Sequence, residues 1–329
     1  MKSRKSAVIG LTVLLGMAAA GLALYTGYSV KASVPSLSDA LKNIPADCQF
    51  ALGINVQRFT ASPVYAKMRQ GQNRPMGKGL ADFIEKTGVD PARDVFYMVA
   101  AGRSEAKLKG EGVAVMIGQF HSDAIAAYIR SKSSPSEMEY AGSPVMMFPE
   151  RGSENVRRGV AFLNDREIAL GDLESLKAVL DIRAKGNKSI LLNPAMAPLI
   201  NGITSDEMFW FAADAAGALS KMPLTTPLGT SVTSIQSVVG TLDVSEAVVG
   251  RITVNAINED AAMKLAEVVR GFVALTQLGS DKNADLKMLV GGLKVAQNAS
   301  QVSIELNFPA ELLEKLERTN QLPKPPPGN

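Results

Sequence analysis

From Ser6 to Val30 no side chain is charged, and Lys2, Arg4 and Lys5 stand just before that stretch. A helix needs about 20 residues to cross a hydrocarbon core of roughly 30 Å, so the pattern predicts one crossing with the basic end in the cytoplasm. Its apolar core, Ala7 to Tyr25, is longer than the roughly 7 to 15 residues of an ordinary signal peptide, although Val30-Lys31-Ala32 offers a small residue for cleavage. Residues 1–32 are therefore expected to anchor the chain in a bacterial inner membrane with the bulk periplasmic or extracellular. The alternative is a secreted protein cut near Ala32.

Beyond the anchor the apolar pattern alternates between short strands and short helices. A helix over Ser36 to Asn43 stops at Pro45, and Cys48 to Val56 reads as a strand buried on both faces. Ser62-Pro63 starts a helix that continues over Val64 to Gln70, and another over Leu80 to Thr87 ends at Gly88. Strands follow at Asp94 to Ala101 and Glu111 to Phe120, then a helix capped by Ser122. Glu139 to Phe148, Gly159 to Leu163 and Glu167 to Leu170 complete the strands of the first half. Asn164-Asp165 turns the last pair, and Asp172 opens a helix that ends near Gly186.

The second half repeats this grammar. Pro198 to Asp206 leads into the apolar strand Met208 to Asp214, and Val238 to Asp243 with Ala247 to Ala256 forms a hairpin. A helix over Asn258 to Gly279, a strand over Gln301 to Asn307 and a helix over Ala310 to Arg318 close the unit. The expected fold class is α+β: two tandem units over 36–186 and 193–318, read as a duplication, with mainly antiparallel sheets covered by helices. The segment 319–329 is an extended Pro-rich tail.

Composition narrows the function classes. The whole chain carries +3, but Lys2, Arg4, Lys5 and Lys31 alone supply +4, so the exported part is close to neutral at −1. With no basic run and only 5% aromatic residues, nucleic acid is not an expected partner. One cysteine, Cys48, permits no internal disulfide, and with His121 as the lone histidine no zinc or haem site is expected. No cofactor is implied.

Two motifs resemble catalytic ones and fail on context. Ser104-Glu105-Ala106-Lys107 fits S-x-x-K, but it falls in a polar turn and neither S-D-N nor K-T-G occurs. Gly71 to Gly79 has five residues between Gly71 and Gly77, where a phosphate loop needs four, and Gly79 stands where the hydroxyl belongs. His121 reads as a satisfied surface residue, and no catalytic residue is assigned.

The segment with most apolar surface is Asp260 to Ala296. Ala261, Leu265, Val268, Phe272 and Leu275 form a helical stripe, and Val269 and Val273 widen it beyond one face. A second helix is expected through Leu286, Leu289, Leu293 and Ala296, weakened by Gly291-Gly292. Leu265, Val269, Phe272, Val273, Leu286, Leu289 and Leu293 are the candidate surface for a partner or ligand.

Pro45-Ala46-Asp47, Phe50, Asn55-Val56 and Ser62-Pro63-Val64-Tyr65 follow a pattern of first strand and following helix. In these residues, chiefly over 40 to 70, the chain resembles uncharacterised exported proteins of soil bacteria of the acidobacterial type, which carry an N-terminal anchor. The resemblance implies an envelope location and a non-catalytic role. The expected function is thus a non-enzymatic, membrane-anchored cell-envelope protein that binds or scaffolds another envelope component. The alternatives are a periplasmic or secreted carrier of a small apolar ligand, and a hydrolase whose site sequence does not reveal.

Overall fold

The computed structural model describes residues 36–71, 78–103, 112–149, 157–216, 234–279 and 284–312. The anchor, the S-x-x-K motif, most of the Gly71 to Gly79 loop and the Pro-rich tail lie outside the described residues. Within them, the first half runs α1 (Leu37–Leu41), β1 (Phe50–Asn55), α2 (Val56–Thr60), α3 (Pro63–Gly71), α4 (Lys78–Thr87), α5 (Pro91–Asp94) and β2 (Val95–Gly102). It continues with β3 (Val113–Gly118), α6 (Ser122–Lys132), β4 (Ser136–Tyr140), β5 (Ser143–Pro149), β6 (Arg157–Asn164), β7 (Glu167–Asp172) and α7 (Leu173–Lys185). After a 3₁₀ turn at Ile190–Leu192, the second half runs α8 (Ala197–Ile200), β8 (Phe209–Asp214), β9 (Ile235–Val244), β10 (Ala247–Ala256), α9 (Glu259–Gly279), α10 (Ala284–Gly291), β11 (Leu293–Asn298) and β12 (Gln301–Pro309). No helix among the described residues is long and apolar enough to cross a membrane.

Among the described residues the strands form one antiparallel sheet of twelve, in the order β11-β12-β10-β9-β8-β1-β2-β3-β7-β6-β5-β4. The fold is α+β, and the two halves share this sheet through the β1–β8 pair. Outward from that pair, β1-β2-β3-β7-β6 on one side and β8-β9-β10-β12-β11 on the other follow the same connectivity. The first half adds the β4–β5 hairpin outside β6.

Because successive side chains in a strand point to opposite faces, the register sorts the core into two layers. On one face Ala51, Val99, Val115, Ala169 and Ala161 lie under α1, α7 and α8, whose Leu41, Leu176, Leu180 and Ile200 are buried. Toward β10, β12 and β11 that face turns polar, with Thr241, Arg251, Glu305 and Lys294 in one cross-strand row. On the other face Met146, Val160, Phe162 and Ile168 pack with Ile125 and Ala126 of α6 and with Phe83 of α4. The same face continues across the second half, where α2 and α3 cover one end and α9 the other.

Local chemistry explains the element ends. Asp172 accepts from Ser175 N–H at 2.9 Å to open α7, and Gly186 closes it in the left-handed conformation at φ 68°. Asn55 Oδ1 accepts from Arg58 N–H at 2.9 Å, which ends β1 one residue before the expected limit and starts α2. Three expectations need correction. The segment read as one strand from Glu139 to Phe148 is the β4–β5 hairpin, folded back at Ala141 (φ 51°) and Gly142 (φ 76°). Ser122 is the first helical residue of α6, and His121 occupies the cap position. The helix expected over Leu286 to Ala296 stops at Gly291, so Leu293 belongs to strand β11. At Gly292 a Cβ would stand 2.1 Å from the Asn307 carbonyl oxygen, so the chain passes from helix to strand where only glycine fits.

Candidate functional site

Among the described residues the second half presents an apolar sheet face that is only partly buried. Three cross-strand rows cross it: Ile54, Phe209, Leu242, Gly250, Leu306 and Leu293; Leu52, Phe211, Gly240, Ile252, Ile304 and Val295; Phe50, Ala213, Val238, Val254, Val302 and Gln297. Only Gln297 in these rows has a polar side chain. Two glycines let larger neighbours lie flat on the sheet. A Cβ on Gly240 would meet Phe211 Cε1 at 2.4 Å, and one on Gly250 would meet Leu242 Cδ1 at 3.0 Å and Leu306 Cδ1 at 3.2 Å.

Helices close the two ends of this face. At one end Phe59 of α2 and Tyr65 of α3 pack on Met208, Val244 and Val248, with the Phe59 and Phe209 rings 5.1 Å apart and edge to face. At the other, Ala262 and Ala266 of α9 are fully buried on Val254, Ala256 and Val302. Phe211, in the middle row, remains 39% exposed, and Phe50, on β1 in the same row as Val254, 38%.

Helix α9 adds a second apolar surface beside its buried one. At about 100° per residue, Ala261, Leu265, Val268, Phe272 and Leu275 fall within an arc of about 80°, flanking the Ala262–Ala266 contact line. Ala261 and Leu265 pack on the cluster that includes Val238 and Ile252, so this flank starts against the sheet. Farther along the helix it emerges, with Phe272 71% and Leu275 69% exposed. Of the residues expected to form a surface, Leu265, Val269, Val273 and Leu289 are half-buried and Phe272 is exposed. Leu293 joins from the sheet, and the Leu286 side chain lies outside the described residues. Sequence reasoning missed the sheet's contribution, Phe50, Phe211 and Ile252, because a strand buried on one face and half-covered on the other reads as uniformly apolar.

A shallow, open cavity of about 630 Å³ lies at the β9–β10 hairpin and is lined by Arg58, Asp206, Glu207, Asp243, Ser245 and Glu246, among others. Two of its charges, Arg58 and Asp243, are engaged in holding the fold. Arg58 Nη2 pairs with Asp243 at 2.6 Å, tying α2 of the first half to the hairpin of the second. Asp243 also accepts from the Ser245 N–H at 2.9 Å and hydroxyl at 2.6 Å. Burial works against its charge, but the Ser245 bonds and Arg58 hold its carboxyl below the usual range.

Elsewhere the singled-out groups have structural partners. His121 Nδ1 lies 3.1 Å from the Thr87 carbonyl oxygen on an exposed helix start. Cys48 is buried, and burial pushes its thiol up to about 12, which keeps it protonated and unreactive. Among the described residues no group of three or more His, Cys, Asp or Glu side chains is arranged to hold a metal.

No family model matches the chain, and no curated protein matches it. Among solved structures, crystal form I of TP0453 is similar at 11% identity and a TM-score of 0.48, over 88% of this chain and 99% of that one.

Proposed function

We propose that this chain is a membrane-anchored, non-enzymatic protein of the bacterial cell envelope that binds or scaffolds another envelope component through the apolar face of its second half. The observation that carries the reading is the pair Phe272 and Leu275, both more than two-thirds exposed on a flank continuous with the apolar sheet rows. Exposed apolar surface of this kind marks interaction sites when it is contiguous. The uncharged stretch Ser6 to Val30 behind Lys2, Arg4 and Lys5 supports the anchor, and the shared strand connectivity of the halves supports duplication of one α+β unit. The test is quantitative co-purification of the full chain from its native membranes, wild type against Phe272→Asp/Leu275→Asp. A defined component recovered with the wild type and lost with the variant supports the reading, and equal recovery from both removes it.

A second reading, a carrier of a small apolar ligand, is favoured by the nearly all-apolar rows left half-exposed between α2–α3 and α9. Titration with a fluorescent acyl-chain probe separates the two. Saturable binding at one site, weakened by Phe211→Asp, favours the carrier; partitioning without saturation leaves the scaffold.

A further inference from the structure

A sheet of twelve strands has two edges, and here they differ in chemistry. β4 ends one side and β11 the other, each with a single strand neighbour among the described residues. In an antiparallel pair, alternate residues direct both backbone groups to the partner and the residues between them direct both outward. The two-residue turn of the β4–β5 hairpin closes on the pair Tyr140–Ser143, so Tyr140, Met138 and Ser136 bond to β5. The outward residues of β4 are therefore Glu137 and Glu139. Arg130 of α6 binds Glu137 through both carboxylate oxygens at 2.7 Å, while Glu139 is exposed, so a pairing of this edge with its own copy about Met138 or Glu139 sets glutamate opposite glutamate.

The β11 edge has the opposite character. Asn307 N–H donates to the Gly292 carbonyl at 2.9 Å, in the same register as Leu293–Leu306, so residues 294, 296 and 298 bond to β12. Leu293, Val295 and Gln297 direct their N–H and C=O groups outward, and none of the three is charged. The contact found on this edge is with the Val295 carbonyl, which Arg270 Nη2 of α9 reaches at a long 3.4 Å.

We infer that β11 is the contact edge of a two-fold homodimer, in which it pairs antiparallel with β11 of a second copy about Val295. This register alone matches every outward residue with an outward residue: Val295 with Val295, and Leu293 with Gln297 in both directions. Three such pairs exchange about six backbone hydrogen bonds. The pairing keeps each face continuous, so the apolar row Ile252, Ile304 and Val295 runs on into Val295 and Ile304 of the second copy. Lys294, the one charge on the strand, falls opposite Ala296. Arg270 gives up its long bond to Val295. The two-fold pairing is isologous and uses the β11 edge of both copies, so association stops at a closed pair.

The test uses the full chain in detergent. In the dimer the two copies of residue 295 form one hydrogen-bonded pair with Cα atoms about 5.5 Å apart, within disulfide reach. Mild oxidation of Val295→Cys should give a disulfide-linked dimer as the main product, while Glu137→Cys and the wild type, whose Cys48 is buried, stay monomeric on denaturing gels. Gln297→Pro removes an outward N–H and no backbone bond to β12, giving up within the protomer the Gln297 Nε2 bond to the Ala299 carbonyl, so it should halve the sedimentation mass at an unchanged circular dichroism spectrum. The inference is overturned if the wild type sediments as a monomer, if the dimer survives Gln297→Pro, or if Val295→Cys cross-links no better than Glu137→Cys.

Discussion

At the scale of single residues the centre of the sheet is set by one close fit. Trp210 of β8 is 2% exposed and lies over Gly53 of β1, where a Cβ would stand 2.1 Å from its Nε1. The indole N–H donates to the Tyr97 hydroxyl at 2.7 Å, two strands away, and burial raises the Tyr97 phenol well above its ordinary range. Gly53→Ala should therefore cost about 1 to 3 kcal/mol by forcing the indole aside, read from the urea midpoint at unchanged slope. Trp210→Phe should cost about 1 to 3 kcal/mol by leaving the Tyr97 hydroxyl buried without its donor, and Trp210→Phe/Tyr97→Phe should recover part of that loss. An unchanged midpoint in either single variant contradicts the packing described. None of this was legible beforehand, since 113 positions separate Tyr97 from Trp210 and a glycine within an apolar run announces no particular neighbour.

At the scale of elements, helix boundaries were legible where a capping residue or a closing glycine marks them locally, as at Asp172 and Gly186. Asp172 before Leu173, Leu176, Val179 and Leu180 predicts α7, because a capping carboxylate and an i, i+3, i+4 apolar edge are both local signals. In the structure burial works against the Asp172 charge, but bonds from the Ser175 N–H and hydroxyl and from the Gly112 N–H hold its carboxyl below the usual range. A carboxyl lowered on folding stabilises above its unfolded value of about 3.9, and that contribution is lost as pH falls through the folded value. Asp172→Ala should thus lose about 0.5 to 2 kcal/mol at pH 7. The deficit should shrink below about pH 4 as the wild-type carboxyl protonates, which thermal melts across pH 2 to 7 will show. A deficit that stays constant with pH would mean the carboxylate charge plays no part in the cap. The turns at Ala141 and Gly292 were missed for a related reason. A left-handed alanine carries no sequence mark, and glycine at a helix-to-strand passage looks the same as glycine weakening a helix until the opposing carbonyl of Asn307 is known.

For the whole molecule, the alternation of strands and helices sufficed for the α+β class and for antiparallel pairing, because adjacent strands joined by short turns have little other choice. What it did not reveal is that β1 and β8 pair, merging both halves into one sheet, since that contact joins strands more than 150 positions apart. On α9 the stripe is too wide for one buried face, and in the structure Phe272 and Leu275 on it are exposed. The half-covered sheet residues of that apolar surface were not legible. The topology expected from Lys2, Arg4 and Lys5 gives one prediction at this scale: a reporter fused at Asn329 should be active only in a form that functions outside the cytoplasm. A reporter active in the cytoplasm reverses the orientation and with it the envelope reading.

The claim on which the account turns is that the exposed flank of α9 meets another component of the envelope. Site-specific photo-cross-linking in intact cells reads this contact directly, with the photoreactive side chain placed at 272 in one strain and at 267 in another. At about 100° per residue these positions face directions some 140° apart on the same helix, so position 267 reports contact that is not specific to the flank. The account predicts a discrete, heavier adduct from position 272 and none from position 267. No adduct from 272, or adducts of equal yield from both positions, would contradict it.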